Sequence, residues 1–269
     1  MDSEFPKAVT IYGTGLMGTS FALALKQARA DIRVLGVDTP EMLGRSRAMG
    51  AIEATGTGVA PASDLVVLAA PVGDILKLLE ELEPIAPLVM DLGSTKVDIC
   101  RKAEARGLPF IGGHPMAGSE RSGPEAASAD LFRDSRFFLC PVSSTPPDAL
   151  HQLENLVHDL GAFPHVISPE THDNLVAELS HLPQILSTVL AELTGEHRDF
   201  AGPGWKSVTR LAASPFHVWR DILLTSGSLP DELRIYIQRL HGILDVLERK
   251  DTAELEAIFQ RANASALDG

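Results

Sequence analysis

The stretch AVTIYGTGLMGTSFALALKQA, residues 8–28, decides the fold because a glycine-rich turn joins two different periodicities within it. Residues 8–12 are apolar, β-branched or aromatic, which is typical of a buried strand. Residues 19–28 carry apolar side chains at helical spacing. Between them stand Gly13, Gly15 and Gly18 in G-x-G-x-x-G order. A strand that runs into such a turn and continues as a helix indicates a βα unit.

This turn predicts a dinucleotide site. Gly13 permits the tight turn, Gly15 lets a pyrophosphate approach the backbone, and Gly18 lets helix and strand pack closely. The free amides at the start of the helix attract phosphate. Asp38 ends the next strand twenty residues after Gly18, where a carboxylate would accept hydrogen bonds from ribose hydroxyls. The alternative is a structural turn followed by a surface aspartate.

NAD is favoured over NADP, because a 2′-phosphate would meet the like charge of Asp38 and no arginine is adjacent. We predict that NAD is bound by the turn and by the ends of three strands, at Gly13, Gly15, Leu16, Met17, Gly18, Asp38, Pro71 and Ser94.

Further along the chain, short apolar runs alternate with helical patterns as far as residue 168. The predicted strands after the first are 32–37, 64–70, 88–92, 109–113, 137–142 and 163–167. Near-continuous apolar strands separated by helices predict a mostly parallel sheet covered on both faces. We therefore expect an α/β Rossmann-type dinucleotide-binding domain over residues 1–168. Residues 169–269 show helical spacing only, which predicts an all-α domain. About 100 helical residues form a small core by themselves, so we expect this domain to bury its apolar faces against the first domain and against a second copy of the chain.

Ligands of open α/β sheets bind beyond the carboxyl ends of the strands, where Pro71 and Ser94 follow two neighbouring apolar runs. Ser94 has two interpretations, a catalytic hydroxyl or the N-cap of the next helix. Lys96 could pair with Asp91 or cap locally, and no role is assigned to it.

His114 lies in GGHPMAGSERSG, residues 112–123, and is the leading catalytic candidate. The following proline biases its backbone to an extended conformation. Gly112 and Gly113 are expected to clear space for a ligand. An imidazole pKa of about 6.5 suits a general base. The alternative is an ordinary surface-loop histidine.

His172 and His181 do not predict a metal site. They are nine residues apart, which places them on opposite faces of a straight helix. The two cysteines form neither a CxxC motif nor a thiolate site, and no metal is expected.

Bulk properties limit the partners. A formal net charge of −13 argues against nucleic-acid and anionic-membrane surfaces. No run of apolar residues is long enough for a transmembrane helix, and the acidic start differs from a signal peptide. A cytoplasmic protein that binds a small molecule is the expectation. If the ligand is an anion, local arginine, histidine and helix N-termini must attract it.

Six motifs in order, GTGLMG, DLGSTK, GGHPMAGSERSG, ETHD, SHLP and TRLAASPFHVW, make the chain resemble the prephenate and arogenate dehydrogenases of tyrosine biosynthesis. The resemblance runs from about residue 9 to residue 221. It implies a Rossmann domain followed by a helical dimerisation domain. It also implies an oxidative decarboxylation in which NAD takes a hydride from the carbinol carbon of a cyclohexadienyl ring.

The resemblance assigns roles to individual residues. His114 would accept the proton of the ring hydroxyl, and Ser94 would lie between nicotinamide, hydroxyl and histidine. The remaining positions, which match substrate-binding residues of the family, are Arg210 on a carboxylate, His181 as a second histidine, Ser119 and Glu120 near the substrate side chain, and Trp219 beside the pocket.

Two positions depart from the family pattern. Gln184 stands where many relatives have histidine after SHLP, and Ser207 stands where many have an acid. Prephenate is the expected substrate, and arogenate is the alternative. A β-hydroxyacid dehydrogenase is less favoured because no lysine occurs on the helix after the Rossmann domain. A non-catalytic NAD-binding module is disfavoured by the histidine, serine, glutamate and arginine of the loops.

Overall fold

The computed structural model describes residues 5–56, 63–82, 88–119 and 121–267. The chain folds into two compact units, Met1–Ser226 and Gly227–Gly269. Among the helices that fall in these ranges, none is both long and apolar enough to span a membrane.

One eight-stranded sheet organises the first unit, in the order β3-β2-β1-β4-β5-β6-β7-β8. All neighbouring strands are parallel except β6 and β7, which are antiparallel. The strands are β1 Ala8–Tyr12, β2 Arg33–Val37, β3 Ala54–Gly56, β4 Leu65–Leu68, β5 Leu88–Asp91, β6 Phe110–Pro115, β7 Arg136–Pro141 and β8 Phe163–Val166. Each of the seven predicted strands is present. Only β3 was not predicted, because this three-residue edge strand has no apolar run.

Helices cover both faces of the sheet, because its strands carry apolar side chains on both faces. In β4, Leu65 and Val67 face one core cluster, and Val66 and Leu68 face the other. This alternation follows from the two-residue period of a strand. The helices of this part are α1 Leu16–Ala28, α2 Pro40–Ala48, α3 Val72–Glu81, α4 Val97–Ala105 and α5 Ala149–Asp159. The predicted Rossmann-type α/β fold is confirmed.

The rest of the first unit is helical, as predicted. It comprises α6 Pro169–Val176, a π-helical turn Ala177–His181, α7 Leu182–Thr194, α8 Pro203–Val208 and α9 Phe216–Thr225. Short 3₁₀ turns at Gly195–Phe200 and Arg210–Ala213 lie between these helices. The π turn ends two residues before Pro183, which has no N–H to continue the α-helical ladder.

The second unit consists of α10 Leu229–Glu248 and α11 Thr252–Leu267. Apolar side chains form a stripe along α10 at spacings of three and four residues. These side chains remain 45–54% exposed in the single chain, and they are Ile237, Leu240, Leu244 and Leu247. An exposed stripe of this kind is typical of a protein interface.

Candidate active site

The glycine turn leaves open space at the start of α1. Gly13 has a φ of +91°, and a Cβ there would lie 2.5 Å from the carbonyl oxygen of Ala69. A Cβ on Gly18 would lie 1.9 Å from the Gly13 oxygen, so both glycines are required for packing. Gly15 differs, because no heavy atom of the described residues lies within 4 Å of its Cβ position, apart from Gly15 itself and its two chain neighbours. The backbone there is free to approach a ligand, and the amides of Leu16 and Met17 belong to the first helical turn.

Asp38 lies beside this turn. Its Oδ2 accepts hydrogen bonds from the Thr14 backbone N–H (2.7 Å) and hydroxyl (3.1 Å), and its Oδ1 accepts one from the Thr39 N–H (2.7 Å). Thr39 also caps α2 through its side chain. The carboxylate is thus fixed next to the glycine turn and remains half-buried. An open backbone at a helix N-terminus, with a fixed acid beside it, fits NAD.

Two strand ends lie beside the turn at the same edge of the sheet. Pro71 follows β4 and begins α3, and Ser94 follows β5. Helix α9 holds both segments, since Asp221 accepts from the Gly73 N–H (3.1 Å) and Thr225 bonds Thr95 (2.8 Å between hydroxyl oxygens). Ser94 is half-buried and does not cap α4.

His114 is the fifth residue of β6, at the end where the cofactor is expected. The prediction that Gly112 and Gly113 clear space for a ligand is wrong. A Cβ on Gly113 would lie 2.4 Å from the Asp91 carbonyl oxygen, and one on Gly112 would lie 2.7 Å from the Cys100 sulfur. These glycines let neighbouring elements of the fold pack closely, and they do not clear space for a ligand.

A buried ion pair holds the backbone of both catalytic candidates. Lys96 and Asp91 have no exposed side-chain surface, and Lys96 Nζ donates to Asp91 Oδ2 and to the Gly113 oxygen (2.8 Å). Asp91 also accepts from the backbone N–H groups of Gly113 (3.1 Å) and Gly93 (2.7 Å). Of the two alternatives for Lys96, the pair is the one present. Burial raises the pKa of Asp91, and Lys96 opposes the rise. Gly93 directly precedes Ser94, and Gly113 directly precedes His114. The Asp91–Lys96 ion pair therefore fixes the backbone next to both catalytic candidates.

Sequence reasoning missed two residues of the site, His172 and Asp173. The His114 Nδ1 lies 2.8 Å from the His172 Nε2, and the His172 Nδ1 lies 2.8 Å from Asp173 Oδ1. The ETHD motif contains both residues, but their role depends on how α6 packs on α4. Asp173 also accepts the backbone N–H groups of Lys96 (2.7 Å) and Val97 (3.0 Å), so it caps α4 in place of Ser94.

Burial keeps the His114 imidazole neutral. It lowers the pKa of His114 well below the ordinary value, and His172, Lys96 and His181 lower that pKa further. Burial also lowers the pKa of His172, although its bond to Asp173 opposes the change. A neutral imidazole that lies among other uncharged rings can accept a proton from a hydroxyl at neutral pH.

His181 belongs to the same cluster, so its predicted placement opposite His172 is wrong. In a straight α-helix the nine residues from His172 to His181 would place the two side chains about 180° apart around the helix axis. The π turn inserts one extra residue, so the rotation is that of about eight residues, and the two side chains lie about 80° apart. The His181 Nδ1 lies 2.7 Å from the Ser226 hydroxyl, and burial lowers the pKa of His181 to about 4. Trp219 packs edge-on against this ring, with 6.0 Å between centroids.

Arg210 lies on an exposed 3₁₀ turn that two side chains of α7 hold in place. Gln184 Nε2 donates to the Leu211 oxygen (3.0 Å), and Ser187 Oγ accepts from the Ala212 N–H (3.0 Å). The Gln184 Oε1 is buried, and no described residue offers it a hydrogen bond.

The predicted residues near the substrate side chain are less defined. Ser119 is exposed and accepts from the Arg121 N–H (3.1 Å), while Glu120 lies outside the described residues. In the described part of the chain, no hydrogen bond or ion pair joins Ser119 or Arg210 to the histidines. Within the same residues, no group of three or more histidine, cysteine or acidic side chains could hold a metal ion.

Comparisons with known proteins give two family matches and several relatives. Residues 21–166 match the family model for the nucleotide-binding domain of prephenate dehydrogenase, and residues 168–261 match the model for its dimerization domain. The prephenate dehydrogenase of Bacillus subtilis is 32% identical over 97% of this chain and 75% of its own length. The cyclohexadienyl dehydrogenase of Zymomonas mobilis is 29% identical, over 97% and 95%. The crystal structure of the Aquifex aeolicus prephenate dehydrogenase with hydroxyphenyl propionate and NAD+ superposes with a TM-score of 0.90 at 28% identity, covering 97% and 98% of the two chains.

Proposed function

Since the chain belongs to the prephenate dehydrogenase family, we propose that it oxidises and decarboxylates prephenate with NAD to give 4-hydroxyphenylpyruvate. One observation carries the proposal beyond membership of the family. A neutral histidine, His114, stands at a carboxyl-terminal strand end and is backed by His172 at 2.8 Å. It lies at the sheet edge to which the glycine turn also belongs.

The chemistry divides between cofactor and protein. Bound NAD supplies the hydride acceptor for the carbinol carbon, and the ring carboxylate leaves as carbon dioxide as the ring becomes aromatic. His114 accepts the hydroxyl proton as the carbon–oxygen double bond forms, and its lowered pKa keeps it unprotonated beforehand. Loss of carbon dioxide then turns this carbonyl into a phenolate oxygen, and His114 returns the proton to it. Ser94 donates a hydrogen bond that orients the same hydroxyl. The Asp91–Lys96 pair keeps both groups in register.

Substrate binding must overcome the charge of the whole chain. Prephenate carries two carboxylates, and the formal net charge of the protein is −13. Arg210 is proposed to bind one carboxylate, because a charge-assisted hydrogen bond contributes about 1.5–3 kcal/mol. His181, with Trp219 against it, is proposed to form one wall of the ring site. Ser119 and Glu120 are proposed to lie near the substrate side chain.

The test is NADH formation from prephenate by the wild type and by His114→Asn. We expect turnover to fall by about 10²–10⁴-fold, because the base is lost, while NAD affinity by calorimetry stays unchanged. His165→Asn is the matched control, since His165 packs edge-on against Phe138 (5.7 Å between centroids) without bonding His114. Near-normal turnover of His114→Asn would remove the histidine from this role, and no NADH from either cyclohexadienyl substrate would overturn the function.

Arogenate is the second candidate substrate, because the relative from Zymomonas mobilis is a cyclohexadienyl dehydrogenase and arogenate, like prephenate, is a cyclohexadienyl compound. Parallel kcat/KM values for the two compounds decide between them.

We also propose a homodimer and a cytoplasmic location. The match of residues 168–261 to a dimerization domain and the exposed apolar stripe of α10 support the dimer. Two buried free thiols are compatible with a reducing compartment. Light scattering on Leu244→Glu tests the dimer, because a charge in the stripe should produce monomers. A Leu244→Glu protein that keeps the wild-type mass would place the interface elsewhere.

A further inference from the structure

We propose that His172 and Asp173 are positioning residues that hold His114 in the tautomer with its proton on Nδ1 and its lone pair on Nε2. Neither residue needs to touch the substrate for this. The inference rests on the proposed function only where it concerns turnover, because the tautomer is a property of the free protein. The geometry that carries it is a chain of two hydrogen bonds, each 2.8 Å long, that ends on a carboxylate.

Asp173 fixes the direction of the chain. Its Oδ1 accepts the Lys96 N–H (2.7 Å), and its Oδ2 accepts the Val97 N–H (3.0 Å). Backbone N–H groups can only donate, so the carboxylate is an acceptor at both oxygens. The start of α4, to which these N–H groups belong, also favours negative charge. The His172 Nδ1, 2.8 Å from Oδ1, must therefore carry a hydrogen and donate it.

The hydrogen-bond donor at His172 Nδ1 also determines which atom donates in the bond between His172 and His114. A neutral imidazole has one N–H and one lone pair, so a proton on the His172 Nδ1 leaves its Nε2 as an acceptor. Burial lowers the pKa of His172 and keeps it neutral. The His114 Nδ1, 2.8 Å away, must then donate. The lone pair of His114 is left on Nε2, the nitrogen that points away from the chain of bonds.

The arrangement also prepares His114 for the proton that it receives. A protonated His114 still donates from Nδ1 to His172, whose other nitrogen donates to Asp173. The charged groups that act on His114 are Lys96, which opposes its protonation, and the Asp173 carboxylate, which reaches it through His172. His181 faces it as well and, with its pKa near 4, is neutral at pH 7. The positive charge of a protonated His114 is thus linked through two hydrogen bonds to the Asp173 carboxylate.

The experiment replaces His172 and leaves Asp173, because Asp173 also caps α4. His172→Leu removes the acceptor for His114. His172→Gln restores it, since the amide oxygen can accept from His114 while the amide N–H donates to Asp173. The control is His165→Leu, which removes a ring that packs on Phe138 outside the hydrogen-bonded chain. Thermal unfolding shows whether each variant is folded.

The primary measurement is nitrogen-15 NMR of the imidazoles in the free protein, which distinguishes Nδ1–H from Nε2–H. We expect Nδ1–H for His114 in the wild type, His172→Gln and His165→Leu, and loss of this preference in His172→Leu. We expect kcat to fall by about 10²–10⁴-fold in His172→Leu, with KM for NAD unchanged, and to recover largely in His172→Gln.

The outcomes separate this inference from the proposed function. An Nε2–H tautomer for wild-type His114, or an unchanged tautomer and kcat in a folded His172→Leu, would overturn the positioning role. Equal loss of kcat in His172→Leu and His172→Gln would also overturn it, because only a structural role predicts that result. If His114 shows the expected tautomer and no cyclohexadienyl substrate reacts, the inference stands and the function fails.

Discussion

Replacing Lys96 with methionine is expected to destabilise the fold strongly, because Asp91 would remain buried without its cation. Both side chains have 0% exposed surface, so water cannot replace the lost charge. The bond from Lys96 Nζ to the Gly113 oxygen is lost as well. Removing one partner of a buried ion pair costs about 3–5 kcal/mol. Each kcal/mol lowers the Tm of a unit of this size by about 2–4 °C, so a drop of about 6–20 °C follows.

The loss should depend on pH in a definite direction. Burial raises the pKa of Asp91, and the variant lacks the lysine that opposes this rise. Between the unfolded value of about 3.9 and the raised folded value, the folded state binds more protons than the unfolded state. Stability therefore falls as pH rises through this window, by up to about 1.4 kcal/mol per pH unit. The deficit of Lys96→Met against the wild type should be larger at pH 8 than at pH 5.

Urea unfolding followed by circular dichroism at both pH values measures the deficit. Lys77→Met is the matched control, because Lys77 pairs with Asp74 at 2.9 Å while both side chains are more than half exposed. An exposed pair contributes about 0–1 kcal/mol. Equal losses in the two variants, or a deficit that does not grow with pH, would refute the view that an unpaired buried carboxylate sets the cost.

Three further predictions concern cofactor and substrate. Gly15→Ala should fold normally, because its Cβ enters open space, but it should weaken NAD binding measured by calorimetry. Gly18→Ala should instead lower the Tm, because its Cβ would lie 1.9 Å from a carbonyl oxygen. Equal Tm values for the two variants would contradict this. Asp38→Ser should reduce discrimination against NADP, measured as the ratio of the two kcat/KM values, because a like charge is removed; an unchanged ratio would exclude Asp38 as the selector. Gln184→Leu should raise the KM for prephenate more than it lowers kcat, because the turn that carries Arg210 loses its hydrogen bond from Gln184 on α7. An unaltered KM would show that this hydrogen bond does not position the turn.

Most of the α/β architecture follows from local sequence pattern. Apolar runs bounded by turn residues predict seven of the eight strands, and the first, residues 8–12, agrees with the structure at both ends. The glycine turn is equally local, because Gly13 and Gly18 satisfy steric requirements set by chain neighbours and the adjoining strand. The antiparallel pairing of β6 with β7 is not predicted, since an apolar run does not encode the direction of its partner.

His114 could be found from its own loop, but the residues that act on it could not. The His172–Asp173 chain exists because α6 packs on α4 and on the end of β6. Its contacts join Asp173 to Lys96, 77 positions apart, and His172 to His114, 58 positions apart. The misplacement of His181 has a local cause that periodicity cannot detect, a single π turn that changes the helical phase by one residue. Thus the sequence by itself determined the sheet and the glycine turn, and it selected His114 as the candidate base. Only the tertiary structure decided what surrounds that candidate and which histidine and carboxylate lie in hydrogen-bonding reach of it, because these depend on the packing of distant helices.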